Sequence, residues 1–169
     1  MILTGSLVTV MVLAAAALGS RLEAQAAPPA PLAGASFAIT VNRLTLESDS
    51  RRPAVKAVLR FTRLRPGGLS LDFGGGFLER DGHGMLALEA GPAGTWACSG
   101  AAFLYRVGAM GLQTSSGTAA GLYAGISTLL RIHGRTGFRL DVARQHYLTA
   151  GQTGAWQFGG GVALLPRVR

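Results

Sequence analysis

The nearest approach to a catalytic set in this chain consists of His146, Asp141 and Ser127. A nucleophilic serine needs a histidine base within hydrogen-bond reach, and a carboxylate that orients the histidine. Asp141 and His146 have opposite parity in a segment that alternates like a β-strand. Because successive strand side chains point to opposite faces, we expect these two to face apart. The sequence therefore predicts no catalytic residues and no enzyme activity.

Metal and cofactor chemistry has equally little support in the residue pattern. None of the three histidines has a second histidine or a carboxylate at ligand spacing on a shared element: His83, His133 and His146. Cys98 is the only cysteine, which excludes an intrachain disulfide and a thiolate cluster, and we expect it to be a small packed side chain. The glycine runs 74–76 and 159–161 precede no helix and no Lys-Ser/Thr pair, so they indicate close strand packing. We predict no metal and no cofactor.

The charged residues follow a different and more informative pattern. Within strand-like segments they share the face opposite the aliphatic side chains, as Arg139 and Asp141 do between Phe138, Leu140 and Val142. Both signs occur, at nearly one residue per segment, and an unpaired buried charge is very costly. The pattern predicts a paired network inside the molecule, formed by Lys56, Arg60, Asp72, Glu89, Arg106, Arg131, Arg139 and Asp141.

These residues need strands to position them, and the clearest strands are the two in 118–148. Both alternate in side-chain character, and a turn at 133–135 separates them, which is typical of a hairpin. Six further strands follow the same pattern, and a turn is expected at 91–94. The alternation changes phase at 43–44, which indicates either a bulge or the strand leaving its apolar surroundings. We predict the six strands at 36–47, 54–63, 69–78, 85–90, within 95–112, and at 154–165. Eight strands in sequential hairpins predict an all-β fold, an antiparallel up-and-down β-barrel.

The composition limits the class of protein. The chain has 169 residues, of which 49% are hydrophobic and only 14% charged, whereas about 25% charged is typical of soluble domains. The net charge of +8 is spread along the chain without interleaved stacking aromatics, which argues against a nucleic-acid partner. Residues 1–26 have the apolar core and small-residue cleavage pattern of a signal peptide. We predict a Pro/Ala-rich linker at 27–34 and the barrel at 35–169.

Alternation alone leaves two orientations open. A soluble barrel turns its apolar face inward, whereas an outer-membrane barrel turns it toward lipid and fills its interior with polar groups. The polar face here is rich in glycine, including Gly74, Gly125 and Gly159. Glycine weakens a solvated strand, but a narrow eight-stranded lumen has room only for small side chains on much of its concave side. With the signal segment, this favours the transmembrane orientation.

Three runs in the second half of the chain carry a family resemblance. They are Gly-Leu-Tyr-Ala-Gly-Ile at 121–126, Phe-Arg-Leu-Asp-Val-Ala-Arg at 138–144 and Phe-Gly-Gly-Gly-Val at 158–162. They resemble the last three strands of small eight-stranded outer-membrane barrels of the OmpA/OmpX type, within the broad outer-membrane β-barrel domain group. The resemblance covers about 35–169 and implies a barrel that contacts outer-membrane lipid.

The sequence therefore predicts a structural outer-membrane barrel with a polar, plugged lumen, located in the outer membrane and without a small-molecule substrate. Aromatic residues suited to the membrane interface are Trp96, Tyr105, Tyr147 and Trp156. The alternative is a secreted or periplasmic lipocalin-like barrel, in which Phe138, Leu140 and Val142 would line a cavity for an apolar ligand. A weaker alternative is an adhesin that uses the loops at 48–53 and 79–84.

Overall fold

The computed structural model describes residues 31–47, 53–80, 82–98, 100–114, 117–148 and 154–167. The predicted signal segment and residues 27–30 of the predicted linker lie outside the described residues. The strands are β1 (Gly34–Leu46), β2 (Ala54–Leu64), β3 (Leu69–Arg80), β4 (His83–Cys98), β5 (Ala101–Thr114), β6 (Gly117–His133), β7 (Thr136–Tyr147) and β8 (Ala155–Leu164). Within these ranges, no helix is long and apolar enough to cross a membrane.

The eight strands form a closed antiparallel barrel in sequence order, which confirms the predicted architecture. The seam lies between β1 and β8, whose register runs from Phe37 opposite Leu164 to Leu46 opposite Ala155. Every strand therefore pairs on both sides, and closure removes the exposed edges that an open sheet would have.

The two ends of the barrel differ in the connections they carry. At one end, here called the turn end, lie the connections 65–68, 99–100 and 134–135, together with the segments 31–33 and 165–167 that flank the barrel. The other end, here called the loop end, is where β1, β3, β5 and β7 end and where β2, β4, β6 and β8 begin. An even number of strands places both flanking segments at the turn end.

The turn predicted at 91–94 is wrong, because these residues lie inside β4. Pro92 pairs with Leu71 of β3, while pairing with β5 is interrupted between Ala90–Ala109 and Ala93–Arg106. Proline has no N–H to donate, so it is tolerated in a strand where one ladder is interrupted. A Cβ on Gly91 would overlap the Val107 carbonyl oxygen, so glycine is needed here for close approach of two strands rather than for a turn. The chain actually reverses near 99–100.

Of the two explanations for the change of phase at 43–44, the bulge is wrong. The register of β1 against β2 is unbroken through Arg43 opposite Val55 and Leu44 opposite Ala54. The alternation changes character there because the interior itself becomes apolar, and Leu44 is fully buried. The register irregularity instead lies in β6, between Arg131 and His133.

The side chains alternate between a polar interior and an apolar exterior. On β7, Arg139 and Asp141 are 0% and 1% exposed, whereas Phe138 and Val142 are 50% and 40% exposed. The same division holds on β3, where Asp72 is buried and Phe73 lies on the outer surface. The charged face is therefore the concave face of the barrel.

Candidate functional site: the barrel interior

Seven charged side chains meet in the middle of the barrel, and each is at most 5% exposed. We call them the central network: Lys56, Arg60, Asp72, Glu89, Arg106, Arg139 and Asp141. They project from five strands, and the inward parity of each strand brings them together because a narrow barrel has one common axis. The interior is thus filled by protein groups.

Asp72 lies at the centre of this network. Its Oδ2 atom accepts hydrogen bonds from Nη1 of Arg60 at 3.0 Å and from Nη1 of Arg106 at 3.1 Å. Its Oδ1 atom accepts from Nη2 of Arg139 at 3.1 Å and from the Thr62 hydroxyl at 2.5 Å. One carboxylate therefore holds three guanidinium groups from three different strands.

Asp141 connects the same three arginines from the other side. Nε of Arg139 lies 2.9 Å from its Oδ1 atom, and Nη2 of Arg106 lies 3.3 Å from that oxygen. Nε of Arg60 is 3.5 Å from the Oδ2 atom, an ion contact without a hydrogen bond. The Ser127 hydroxyl also donates to Oδ1. Two aspartates and three arginines consequently form one connected cluster.

Glu89 extends the network toward the loop end through ion pairs with Lys56 and Arg60. Two glutamines complete the polar contacts there. The side-chain amide of Gln145 donates to Glu89 at 3.2 Å and to Gln157 at 2.6 Å. Lys56 also donates to the Gln157 oxygen at 3.2 Å. These neutral groups satisfy hydrogen bonds that the charges alone leave open.

The network carries four cationic groups and three carboxylates, a net charge of +1. The surplus charge has one further partner, because the Arg106 guanidinium lies 5.6 Å from the centre of the Tyr123 ring, within the range of a cation–π contact. Ion pairs in a buried site offset the loss of hydration only when their remaining hydrogen bonds are satisfied. The ion pairs of the cluster therefore constrain how the five strands that carry it lie relative to one another.

Arg131 lies apart from the central network, although its parity predicted a place in it. It is half-buried near the turn end, and its Nη2 atom donates to the Pro166 carbonyl oxygen at 2.8 Å. The irregularity in β6 begins at this residue, close to the end of the strand. Arg131 thus holds the segment that follows β8 against the barrel.

Apolar layers close the interior above and below the charges. The layer at the turn end includes Leu32, Leu64, Leu104, Leu129 and Leu165, each at most 1% exposed. The layer at the loop end includes Leu44, Leu46, Leu78, Leu112 and Tyr147. Sequence parity places these residues inward, but the charged pattern alone did not suggest that both ends of the lumen would be apolar.

The structure separates the residues of the nearest catalytic set. Ser127 is buried and bonded to Asp141, while His146 is exposed on the outer surface. Across the part of the chain that is described, no group of three His, Cys, Asp or Glu side chains is placed to hold a metal ion. Cys98 is exposed at the end of β4, so its predicted packing is wrong. Cys98 and Trp96 lie on the same face of β4, and Trp96 faces outward. The strand predicted from the sequence ends at residue 90, so it does not assign Cys98 to a face.

Tyr147 is another correction, because it is buried in the layer at the loop end instead of facing a membrane interface. Its hydroxyl donates to the Gln145 oxygen at 3.1 Å, and both residues share the inward parity of Asp141. Trp96, Tyr105 and Trp156 do lie on the outer surface, at 65%, 62% and 41% exposure.

In comparisons with known proteins, no protein-family model matches this sequence, and no curated protein is significantly similar to it.

Proposed function

We propose that this chain is a structural barrel of a Gram-negative-type outer membrane, of the kind the OmpA/OmpX resemblance implies, with lipid around its exterior and a lumen plugged by its own side chains. One observation carries the proposal: the charged groups fill the concave face, and large apolar side chains cover the convex face of all eight strands. A soluble monomer rarely exposes a contiguous apolar patch of more than a few hundred Å². Lipid is the environment in which such an exterior is stable.

The dimensions of the strands support this proposal. Each has 10 to 17 residues, and about 9–11 tilted residues cross a bilayer. Aromatic residues flank the apolar exterior at both ends, as the girdles of membrane barrels do. Trp96 stacks on Phe103 with ring centres 5.4 Å apart near the turn end, and Trp156 stacks on Phe158 at 6.0 Å near the loop end.

We propose a structural role because the interior offers no accessible chemistry. The described carboxylates and cations of the lumen hold each other, and apolar layers cover them at both ends. A substrate would have to displace buried ion pairs, at a cost of several kcal/mol for each charge left unpaired.

The lipocalin-like alternative makes a different demand on the same residues. It requires Phe138, Leu140 and Val142 to line an internal cavity, but Phe138 and Val142 lie on the outer surface, with Arg139 and Asp141 buried between their positions. We therefore favour the membrane barrel.

The decisive experiment is detergent folding followed by electrophoresis with and without heating. We expect the folded barrel to migrate differently from the heated chain, and expect cell fractionation to recover the protein in the outer membrane. A protein that stays monomeric and folded in buffer without detergent, and that binds a fluorescent fatty-acid probe there, would instead be the lipocalin-like carrier.

A further inference from the structure

Two neighbouring depressions lie on the outer surface of β2 and β3. The first, near the turn end, is a cavity of about 150 Å³ lined by Arg63, Arg65, Leu69 and Leu71. It combines two guanidinium groups with two leucines that are 65% and 43% exposed. Cations beside an exposed apolar wall suit a ligand that is both anionic and apolar.

No side-chain partner for either arginine occurs in the part of the chain that the structure describes. Neither guanidinium group has a hydrogen bond or ion pair with any described residue. Arg65 is held through its backbone: its N–H donates to the Ser70 hydroxyl at 2.8 Å, and its carbonyl oxygen accepts from the Gly68 N–H at 3.0 Å. The turn is therefore held by the backbone, and the two side chains are available to a ligand. Arginine binds phosphate through two parallel hydrogen bonds.

The second depression lies beside the first, one outward row nearer the middle of the barrel. It has a volume of about 410 Å³, and its lining is apolar apart from Arg60 and Glu89, whose side chains are buried in the central network. Phe61 and Phe73, which are register partners, stand at its near side, and the next outward row consists of Leu59, Gly75 and Leu88. Gly75 has no side chain between two exposed leucines, and this produces a groove on an otherwise bulky surface.

The groove covers most of the depth of one layer of a bilayer. Arg63 and Leu59 are four residues apart on β2, a span of roughly 13 Å along the strand, or roughly 9–11 Å of depth for a strand tilted by about 35–45°. Half of the hydrocarbon thickness is ~15 Å. The arginines would then lie at headgroup depth, with the glycine groove extending toward the bilayer centre.

Charge complementarity points to an anionic occupant. The turn end carries Arg63, Arg65, Arg131, Arg135 and Arg167, whereas every described carboxylate lies in the central network or at the loop end. The turn end is thus uniformly positive over the described residues. A zwitterionic headgroup would gain much less from this field than an anionic one.

We propose that these two depressions form one site for an anionic diacyl phospholipid, with its phosphate between Arg63 and Arg65 and one acyl chain in the groove at Gly75. This inference rests on the proposed membrane function but goes beyond it, since a barrel can insert in lipid without selecting any headgroup. The lipid would fix the depth of β2 and β3 relative to the leaflet at the turn end.

The test uses the full chain folded in detergent, with phosphatidylglycerol and phosphatidylcholine of equal chain length as probes. Native mass spectrometry counts the lipids retained by each barrel. We expect selective retention of one phosphatidylglycerol, about fivefold weaker binding for each of Arg63→Gln and Arg65→Gln, and weaker binding for Gly75→Leu. A Cβ at Gly75 meets only Leu88 at 3.5 Å, an ordinary contact, so a side chain at this position can extend into the groove.

Matched controls separate the site from general effects of charge and bulk. Arg43→Gln removes the same charge from the outward face of β1 near the loop end, and Gly84→Leu adds the same side chain to the loop end of β4, where a Cβ meets no atom within 4 Å. Both controls should retain phosphatidylglycerol as the wild type does. Equal retention by the Arg63→Gln/Arg65→Gln double variant, or by Gly75→Leu, would overturn the proposal.

Two further outcomes identify what has failed. If glycerol 3-phosphate alone displaced the bound lipid at comparable concentration, the site would be a phosphate site and the lipid proposal would be overturned. Insertion into pure phosphatidylcholine liposomes is measured in parallel. Insertion without headgroup selection would leave the membrane function standing and overturn only the lipid site, whereas failure to insert in either lipid would remove both.

Discussion

Nη2 of Arg139 on β7 lies 3.1 Å from Oδ1 of Asp72 on β3, although the two residues are 67 positions apart in sequence. The strands that carry them are not neighbours in the sheet, so this contact crosses the lumen. It can form only when the barrel has closed. The central network therefore forms together with the closed barrel. A substitution that leaves one of its charges without a partner should lower the free energy of unfolding.

Asp72→Asn tests this most directly. The substitution keeps the size of the side chain but removes the charge that holds Arg60, Arg106 and Arg139 together. Because breaking a buried pair leaves uncompensated charges, we expect a loss of about 3–5 kcal/mol in the free energy of unfolding. Urea titration of the barrel folded in liposomes measures it. The control is Glu79→Gln on the exposed end of β3, for which a change within about 0.5 kcal/mol is expected.

The net charge of the network predicts that losing its one lysine destabilises the barrel less than losing one of its carboxylates. Removing Lys56 would leave three cations and three carboxylates, whereas removing the charge of Glu89 would leave four cations and two carboxylates. We therefore expect Lys56→Met, which keeps an unbranched side chain without the charge, to destabilise the barrel much less than Glu89→Gln does. Equal losses in urea titration would show that local hydrogen bonds, and not charge balance, determine stability in this part of the lumen.

The glycines of the barrel differ in the space around them: at some positions a Cβ would overlap a neighbouring strand, and at others it meets no atom. Substitution by alanine should distinguish the two kinds. A Cβ on Gly161 would overlap the Ile39 carbonyl oxygen across the seam between β8 and β1, whereas a Cβ on Gly111 meets no atom within 4 Å. Gly161→Ala should therefore cost about 1–3 kcal/mol through overpacking. Gly111→Ala should be neutral or stabilising by up to about 1 kcal/mol. If both substitutions gave the same midpoint in urea, the close approach at the seam would not be a constraint on folding.

The sequence predicted the strands and the shared face of the charged residues because both follow from a period of two. The inward orientation of that face followed from its glycine content and not from the alternation. Arg60, Asp72 and Asp141 could be assigned to one face without knowing which strands would meet. The same reasoning assigned Arg131 to the network, whereas the structure places it near the turn end. Parity contains no information on depth along the barrel or on a register irregularity. Gly91 and Pro92 predict a turn by their local propensity. That propensity cannot reveal that they lie inside β4, where the pairing with β5 is interrupted. Contacts across the lumen, such as Gln145 with Gln157, depend on the shear of the closed sheet.

Substitutions on the apolar exterior test the membrane assignment by their dependence on depth. Ile126 lies near the middle of β6 and is 50% exposed, and Ile132 lies near the turn end of the same strand and is 58% exposed. In a bilayer, an arginine facing lipid at the midplane costs about 2–4 kcal/mol, but one near the interface costs about 0–1 kcal/mol. Ile126→Arg should accordingly destabilise the liposome-folded barrel by several times more than Ile132→Arg. In water, both positions would accept arginine with little change, so equal and small effects in urea titration would show that no lipid surrounds β6.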